Sequence, residues 1–272
     1  MKIKSFYLIA LILFGSTIKL NAQTEPAAAD SSISTPADST SKNIKLKPPS
    51  NFIKINLTGL ILKNYSLQYE RAITKSISLA VAFRTMPVST IPFKNQIIKI
   101  VGTDDPDTKE TIEKLRLGNF AITPEIRFYL SRKGYGRGFY IAPFYRYAKF
   151  TVNNMPFTYE DISHVQNKIN LSGDFTANTG GILFGVQKAI GKHICLDWWL
   201  LGPHYGSGNG NFTGVPNQPL TQEEQDDLRQ QLEDLDIPLI NKTVNVSANS
   251  ASMKLDGPWA GIRSGLSIGV RF

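Results

Sequence analysis

The chain has 272 residues, one cysteine and a formal net charge of +8. A single cysteine excludes an intrachain disulfide and a zinc site built from cysteines. The positive charges are spread along the chain instead of forming a cluster, so the sequence predicts no nucleic-acid partner.

The first 22 residues have the features of a cleaved export signal. Lys2 and Lys4 precede an apolar run from Phe6 to Gly15, and residues 20–22 fit a cleavage site before Gln23. The apolar run is shorter than the roughly 20 residues that a transmembrane helix needs. We therefore predict a signal peptide at residues 1–22.

A polar segment follows at residues 23–50, composed largely of Ala, Ser, Thr, Pro and Asp. It contains few side chains that folding could bury, so we predict a disordered linker. In an exported chain this linker is expected in the periplasm.

From Asn51 onward, apolar and polar residues alternate, which is typical of β-strands. The alternation is clearest at 77–85, 120–128 and 266–272. We predict eight strands, near residues 52–61, 64–73, 75–86, 119–131, 138–152, 172–190, 193–203 and 258–272. Connections after the second, fourth and sixth strands are short, whereas 87–118, 153–171 and 204–257 are long. Ten strands are an open alternative, because residues 243–255 could form a further pair.

Alternation of this kind occurs both in soluble sheets and in membrane barrels. The export signal, the long strands and the end of the last strand on Phe272 favour the membrane barrel. Lipid does not tolerate an open sheet edge, so the sheet has to close. We therefore predict an all-β fold at 51–272, a closed antiparallel up-and-down transmembrane β-barrel with short periplasmic turns and long outer loops.

Local irregularities are expected in three strands. Proline removes a donor from the hydrogen-bond ladder, so Pro124 and Pro143 predict bulges. In the sixth strand the apolar residues change parity near Gly180 and Gly181, which predicts a third bulge.

The second face of the strands carries charged residues, which the barrel would enclose. An eight-stranded barrel has room only for side chains, and unpaired charges there are costly. We predict a structural ionic network in the lumen and, as an alternative, a narrow pore. The network residues are Glu70, Arg84, Glu125, Arg127, Arg146, Asp197, Arg263 and Arg271. Five arginines face three acids, which leaves a basic excess for water or loop acids to offset.

Helices are predicted in two of the long connections. Thr221 and Glu224 fit a capping box, and Leu228, Leu232 and Leu235 then form one apolar stripe. The seven acids between 223 and 236 fit a solvated helix face or divalent-cation bridging to lipopolysaccharide. A second helix is predicted at about 106–117, with Asp105 as its N-cap and Pro106 as its first residue.

An enzyme is the main functional alternative, since some small outer-membrane barrels modify lipid A. Such chemistry needs a nucleophile and a base within hydrogen-bond reach. His204 and Ser207 are three residues apart, which places them on opposite faces of a strand. His193 lies at a short turn, and His164 has no evident serine partner. We therefore predict no enzymatic activity, no cofactor and no metal.

The order of signal, polar linker, eight alternating strands and terminal phenylalanine resembles the small OmpA/OmpX-like outer-membrane barrels. The last strand resembles the signal read by the barrel insertion machinery, with apolar positions at Leu266, Ile268, Val270 and Phe272. The run Tyr65–Ala72 is similar to barrel proteins of Bacteroidota. The resemblance implies an outer-membrane location and carries over no catalytic or ligand residues.

The resemblance also implies a role in adhesion, envelope integrity or surface defence. We expect a non-enzymatic surface barrel whose loops contact lipopolysaccharide or a partner. Periplasmic chaperones and the insertion machinery would bind the chain only in transit.

Overall fold

The computed structural model describes residues 51–101, 106–131, 134–160, 165–235, 237 and 239–272. The predicted signal peptide and linker lie outside these residues, as does His164.

Nine strands form one antiparallel sheet that closes on itself. They are β1 (Asn51–Asn56), β2 (Tyr65–Ala72), β3 (Ile77–Thr90), β4 (Arg116–Tyr129), β5 (Gly138–Glu160), β6 (Gln166–Ile190), β7 (Ile194–Gly214), β8 (Asn241–Ser247) and β9 (Ser250–Arg271). Each strand from β1 to β7 pairs with its neighbour in sequence, β7 pairs with β9, and β9 pairs with β1. The prediction of an all-β, closed antiparallel sheet is confirmed.

The sheet has nine strands, although the ring itself is closed by eight, the number predicted for the barrel. Eight strands form the closed ring, and β8 pairs with β9 alone, through Asn241↔Asp256 to Ser247↔Ser250. This hairpin corresponds to the extra pair considered for residues 243–255. It adds one strand because its second half is the first part of β9 itself.

Most of the loop predicted at 153–171 and about half of the loop predicted at 204–257 are strand. β5 and β6 stay paired up to Glu160↔Gln166, and β7 pairs with β9 up to Gly214↔Ala251. The predictions of loops at 153–171 and 204–214 were therefore wrong. These segments are rich in Asn, Thr and Gly, a composition typical of loops, but their buried positions still alternate with exposed ones.

The predicted bulges at the two prolines are also absent. The β4–β5 ladder keeps one register from Arg116↔Asn153 to Tyr129↔Tyr140, across both Pro124 and Pro143. The third bulge lies in β7 instead of β6, where an extra residue stands between Trp199 and Gly202. β6 itself contains no bulge, because its odd-numbered residues, among them Phe175, face inward along the whole strand.

Four helices are described: α1 (Leu57–Ile61), α2 (Lys94–Val101), α3 (Pro106–Lys114) and α4 (Gln222–Glu233). The capping box of Thr221 and Glu224 is present, and Leu228 and Leu232 are buried as the predicted stripe requires. α3 begins where predicted and ends before 117, because β4 starts at Arg116. None of the described helices has the length and apolar character needed to cross a membrane.

Helix α3 is held to the sheet by an ion pair on its surface. Lys114 and Lys168 donate hydrogen bonds to Glu110, and these lower the pKa of Glu110 to about 2. Lys168 belongs to β6, so the contact joins the helix to the long hairpin of β5 and β6.

The ring has two ends with different connections. We call the end with the short turns at 73–76, 130–137 and 191–193 the lower end, and the opposite end the upper end. The upper interior is filled by apolar side chains, which helices α3 and α4 help to cover. This upper apolar cluster includes Ile112, Val152, Ile169, Leu171, Phe175, Phe212, Leu228, Leu232, Met253 and Trp259.

Candidate functional site

Arg127 lies at the centre of a polar network in the lower interior of the ring. Its Nε donates to Glu125 Oε1 at 2.7 Å, and its Nη1 donates to Asp197 Oδ2 at 2.7 Å and to Glu70 Oε2 at 3.0 Å. Its guanidinium also lies over the Tyr140 ring, 4.5 Å from the centroid. Arg127 therefore connects β4 with acids on β2 and β7.

Lys54 brings the first strand into the same network. Its Nζ donates to Glu70, to Gln187 and to Asp197, the last at 2.7 Å. The side chains of Lys54, Glu70 and Asp197 have no exposed surface. Lys54 therefore joins β1 to β2, β6 and β7 across the interior.

Neutral hydroxyl groups occupy other positions around the carboxylates. Tyr129 Oη and Ser78 Oγ donate to Glu70 Oε1 at 2.7 Å and 2.6 Å. Tyr140 Oη donates to Asp197 Oδ1 at 2.8 Å. Hydrogen bonds of this kind offset part of the cost of taking a carboxylate out of water.

The network is balanced in charge. Arg263 Nη1 donates to Glu125 Oε2 at 3.1 Å and completes a set of three cations and three acids. We call these six residues the ionic network: Lys54, Glu70, Glu125, Arg127, Asp197 and Arg263. Buried ions are tolerated when they are paired and further hydrogen-bonded, and this set meets both conditions.

The structure brings together five of the eight residues predicted for the lumen. Glu70, Glu125, Arg127, Asp197 and Arg263 belong to the ionic network. The other three, all arginines, lie outside it: Arg84, Arg146 and Arg271.

The three remaining arginines lie at two levels of the ring. Arg84 and Arg146 face inward above the network, and Arg84 Nε donates to Asn119 Oδ1 at 3.0 Å. Arg271 lies at the lower end, where it donates to the backbone oxygens of Lys192 and Gly191 at 2.7 Å and 3.2 Å.

The sequence analysis missed Lys54 and Gln187 as interior residues. Lys54 stands between Ile53 and Ile55, so the alternation used for the other strands also marks it as inward. Gln187 likewise stands one residue after Val186, which faces outward. The alternation of apolar and polar residues is therefore sufficient to place both side chains inside the ring.

The outer wall of the lower section is apolar. Leu79, Phe83 and Ile126 are 49%, 45% and 43% exposed and point away from the interior. In the last strand, Val270 and Phe272 are exposed, and Leu266 and Ile268 are half-buried on the same face. Four aromatic residues are also strongly exposed on this outer face: Tyr65, Tyr69, Tyr145 and Trp198.

The two sections of the ring have opposite polarity, and β6 shows the change within one strand. Near the lower end its outward positions are apolar, with the exception of Lys188, and its interior neighbours are charged. Near the upper end its inward positions are apolar and its outward positions are polar. The outward residues are Ile182, Phe184, Val186, Lys188 and Ile190 below, and they include Lys168, Asn170, Asp174 and Thr176 above. The inward residues above are Ile169, Leu171 and Phe175.

The histidines do not form a nucleophile-and-base pair in the described part of the chain. His204 faces inward, its Nδ1 is buried without a hydrogen-bond partner, and Ser207 is exposed on the opposite face. His193 is exposed at a lower turn. Within the described ranges, no group of three His, Cys, Asp or Glu side chains is placed to hold a metal ion.

Comparisons with protein-family models, curated proteins and solved structures gave no match to this chain. Function is therefore inferred from the geometry above.

Proposed function

We propose that this protein is an integral outer-membrane β-barrel without enzymatic activity. In this proposal the lower section lies in the lipid and the upper section projects from the cell. The upper section would contact lipopolysaccharide or a partner, in adhesion or envelope integrity.

The observation that carries the proposal is the apolar outer wall around a charged interior. A water-soluble protein buries its large apolar side chains, and wide exposed apolar surfaces mark contact with a membrane or a partner. Here Phe83, Ile126 and Val270 face outward on three different strands, whereas Arg127 and Glu70 are fully buried. This arrangement is typical of transmembrane barrels.

The height of the apolar wall also fits a membrane. On β6 the outward residues from Ile182 to Ile190 are apolar except Lys188 near the lower end, and this span of about nine residues is close to the length of a transmembrane β-strand. Tyr145 and Tyr205 are exposed near its upper limit, where membrane barrels carry aromatic residues. Above this limit the outward face is polar, as expected for a section in water.

The filled interior favours a structural barrel over a pore. The ionic network crosses the lower interior, and the upper apolar cluster fills the space above. Water and ions would have to displace packed side chains at both levels. We therefore expect no steady conductance in planar bilayers.

Cell fractionation combined with surface proteolysis tests the proposal. The full chain is expressed in its native cell type, and its location is followed with an antibody to the upper section. We expect the protein in the outer-membrane fraction, and we expect protease added to intact cells to cut its upper section. Recovery of all the protein in the soluble periplasmic fraction would refute the proposal.

Heat-modifiable gel mobility is a second measure on purified protein. A closed barrel that resists detergent migrates differently before and after boiling. Equal mobility of boiled and unboiled samples, in a sample that has native circular dichroism, would count against a transmembrane barrel.

A further inference from the structure

Three arginines lie close together inside the ring, two of them above the ionic network and the third, Arg263, at its upper edge. Arg84, Arg146 and Arg263 come from β3, β5 and β9, and we call them the arginine cluster. Arg146 and Arg263 are 7% and 6% exposed, and Arg84 is half-buried. Arg146 interacts electrostatically with both other guanidinium groups, and all three interact with His204.

Only one member of the arginine cluster has an acidic partner. Arg263 pairs with Glu125 and stacks on the rings of Phe144 and Trp199, at 4.4 Å and 4.9 Å from their centroids. Arg84 has a neutral partner, Asn119. Within the described residues, no hydrogen bond or ion pair reaches the guanidinium of Arg146.

Among the residues that the structure describes, the inward neighbours of Arg84 and Arg146 supply no negative charge. They are small, and they include Ala82, Ala121, Thr123, Ala148 and Thr179. His204 faces the same region, where its ring meets Phe144 edge-on with 6.0 Å between centroids. Its Nδ1 is buried without a partner.

This part of the interior therefore carries an uncompensated positive charge. The described interior holds six cations, of which the three acids of the ionic network compensate three. Arg271 lies apart from the others at the lower end, on backbone oxygens, so Arg84 and Arg146 are the two uncompensated cations of this region. Arginine keeps its charge in proteins, so Arg84 and Arg146 cannot become neutral to lower the cost. An unpaired buried charge is strongly unfavourable, and a bound anion would remove that penalty.

We propose that the arginine cluster binds a small oxyanion of the phosphate or sulfate class. The two unpaired charges equal those of one doubly charged anion. Guanidinium groups recognise such anions through two parallel hydrogen bonds, which Arg146 has free to offer. His204 would complete the site as a further donor.

The site is bounded from below and from above. Glu125 and Arg127 of the ionic network lie beneath it. Above it the apolar cluster begins at Trp259, which pairs with Gly206 one inward position beyond His204. These limits favour an inorganic ion over a larger phosphorylated molecule.

Direct binding of phosphate to the purified full chain tests this proposal. The protein is unfolded, freed of bound ions and refolded at a series of phosphate concentrations, and separately of sulfate concentrations, at constant ionic strength, so that the ion can enter before the ring closes. The ion that stays bound to the folded chain is then measured. We expect one saturable site per chain, and Arg146→Gln is expected to weaken binding at least about tenfold. Arg71→Gln, which changes an exposed arginine on the outer face of β2, should leave binding unchanged.

Thermal unfolding distinguishes loss of the anion site from misfolding of the variant. Without oxyanion, Arg146→Gln should unfold at a higher temperature than the natural chain, because it removes charge repulsion. With saturating phosphate the natural chain should gain stability and the variant should not. Absence of saturable binding by the folded natural chain would overturn the proposal, as would equal binding by Arg146→Gln or equal stabilisation by chloride. These results do not depend on whether the protein is found in a membrane.

Discussion

At the scale of single residues, the lower interior depends on Arg127 more than on any other described side chain. It contacts all three acids of the ionic network, and through them it joins strands from opposite sides of the ring. Arg127 stabilises the fold because it compensates the negative charges of three buried carboxylates.

Arg127→Met is therefore expected to destabilise the protein by about 3–5 kcal/mol, because it leaves buried carboxylates without their partner. Chemical unfolding monitored by tryptophan fluorescence measures the change. Arg71→Met is the matched control, since Arg71 is exposed on β2, and it should cost about 0.5 kcal/mol or less. Equal effects of the two variants would show that the network contributes nothing specific.

Two glycines of β6, Gly185 and Gly180, differ in how much space a side chain would have. A Cβ added at Gly185 would lie 2.4 Å from the Tyr140 hydroxyl and 2.9 Å from the Trp198 backbone oxygen. Gly185→Ala would push Tyr140 away from Asp197, so we expect a loss of about 1–3 kcal/mol.

Gly180→Ala is the control for that variant. Its Cβ would meet nothing closer than the Phe144 backbone oxygen at 4.0 Å, so its effect should stay within about 0.5 kcal/mol. The same unfolding measurement serves both variants. A stable Gly185→Ala protein would mean that Tyr140 can move without loss.

At the scale of elements, the upper section depends on helix α4. The capping box fixes its start, and Leu228 and Leu232 are fully buried against the upper apolar cluster. Glu223, Asp226 and Glu233 on its other face are exposed, so the helix is amphipathic.

Leu232→Ala is expected to release α4, because it removes about 2–5 kcal/mol of packing from a helix held mainly by this stripe. Limited trypsin digestion should then cut faster after Arg229, which lies on the helix. Leu239→Ala is the control, since Leu239 is 83% exposed. Unchanged cleavage in Leu232→Ala would mean that the rest of the cluster is sufficient to hold the helix.

At the scale of the whole molecule, the exchange of polarity between the two sections is the dominant feature. Below, charged residues are inside and apolar residues outside. Above, the order is reversed on the same strands. One continuous sheet can do this because successive residues always point to opposite faces, whatever their chemistry.

A charge on the outer wall should distinguish the two sections. Phe83→Arg places a cation on the lower wall, where lipid would make it cost about 2–4 kcal/mol near the bilayer midplane. Asn170→Arg places the same cation on the polar upper wall and should be neutral. Refolding into lipid vesicles, followed by heat-modifiable mobility, measures both. Equal tolerance of the two changes would contradict a lipid-facing lower section.

The sequence by itself determined the sheet and most of the inward set. Alternation depends only on the geometry of an extended chain, so it marked Glu70, Glu125, Arg127, Asp197 and Arg263 as sharing one face of their strands. The capping box and the leucine stripe of α4 are likewise local signals, read within one or two turns.

Only the tertiary structure decided how far the strands extend and which charges meet. The upper parts of β5, β6 and β7 look like loops, because their outward residues are polar and their stability comes from partners distant in sequence. The meeting of Lys54 with Asp197, or the lack of an acid beside Arg146, depends on strand register around a closed ring. A single strand fixes the face that a side chain points to, but the opposing residue is fixed by the whole sheet.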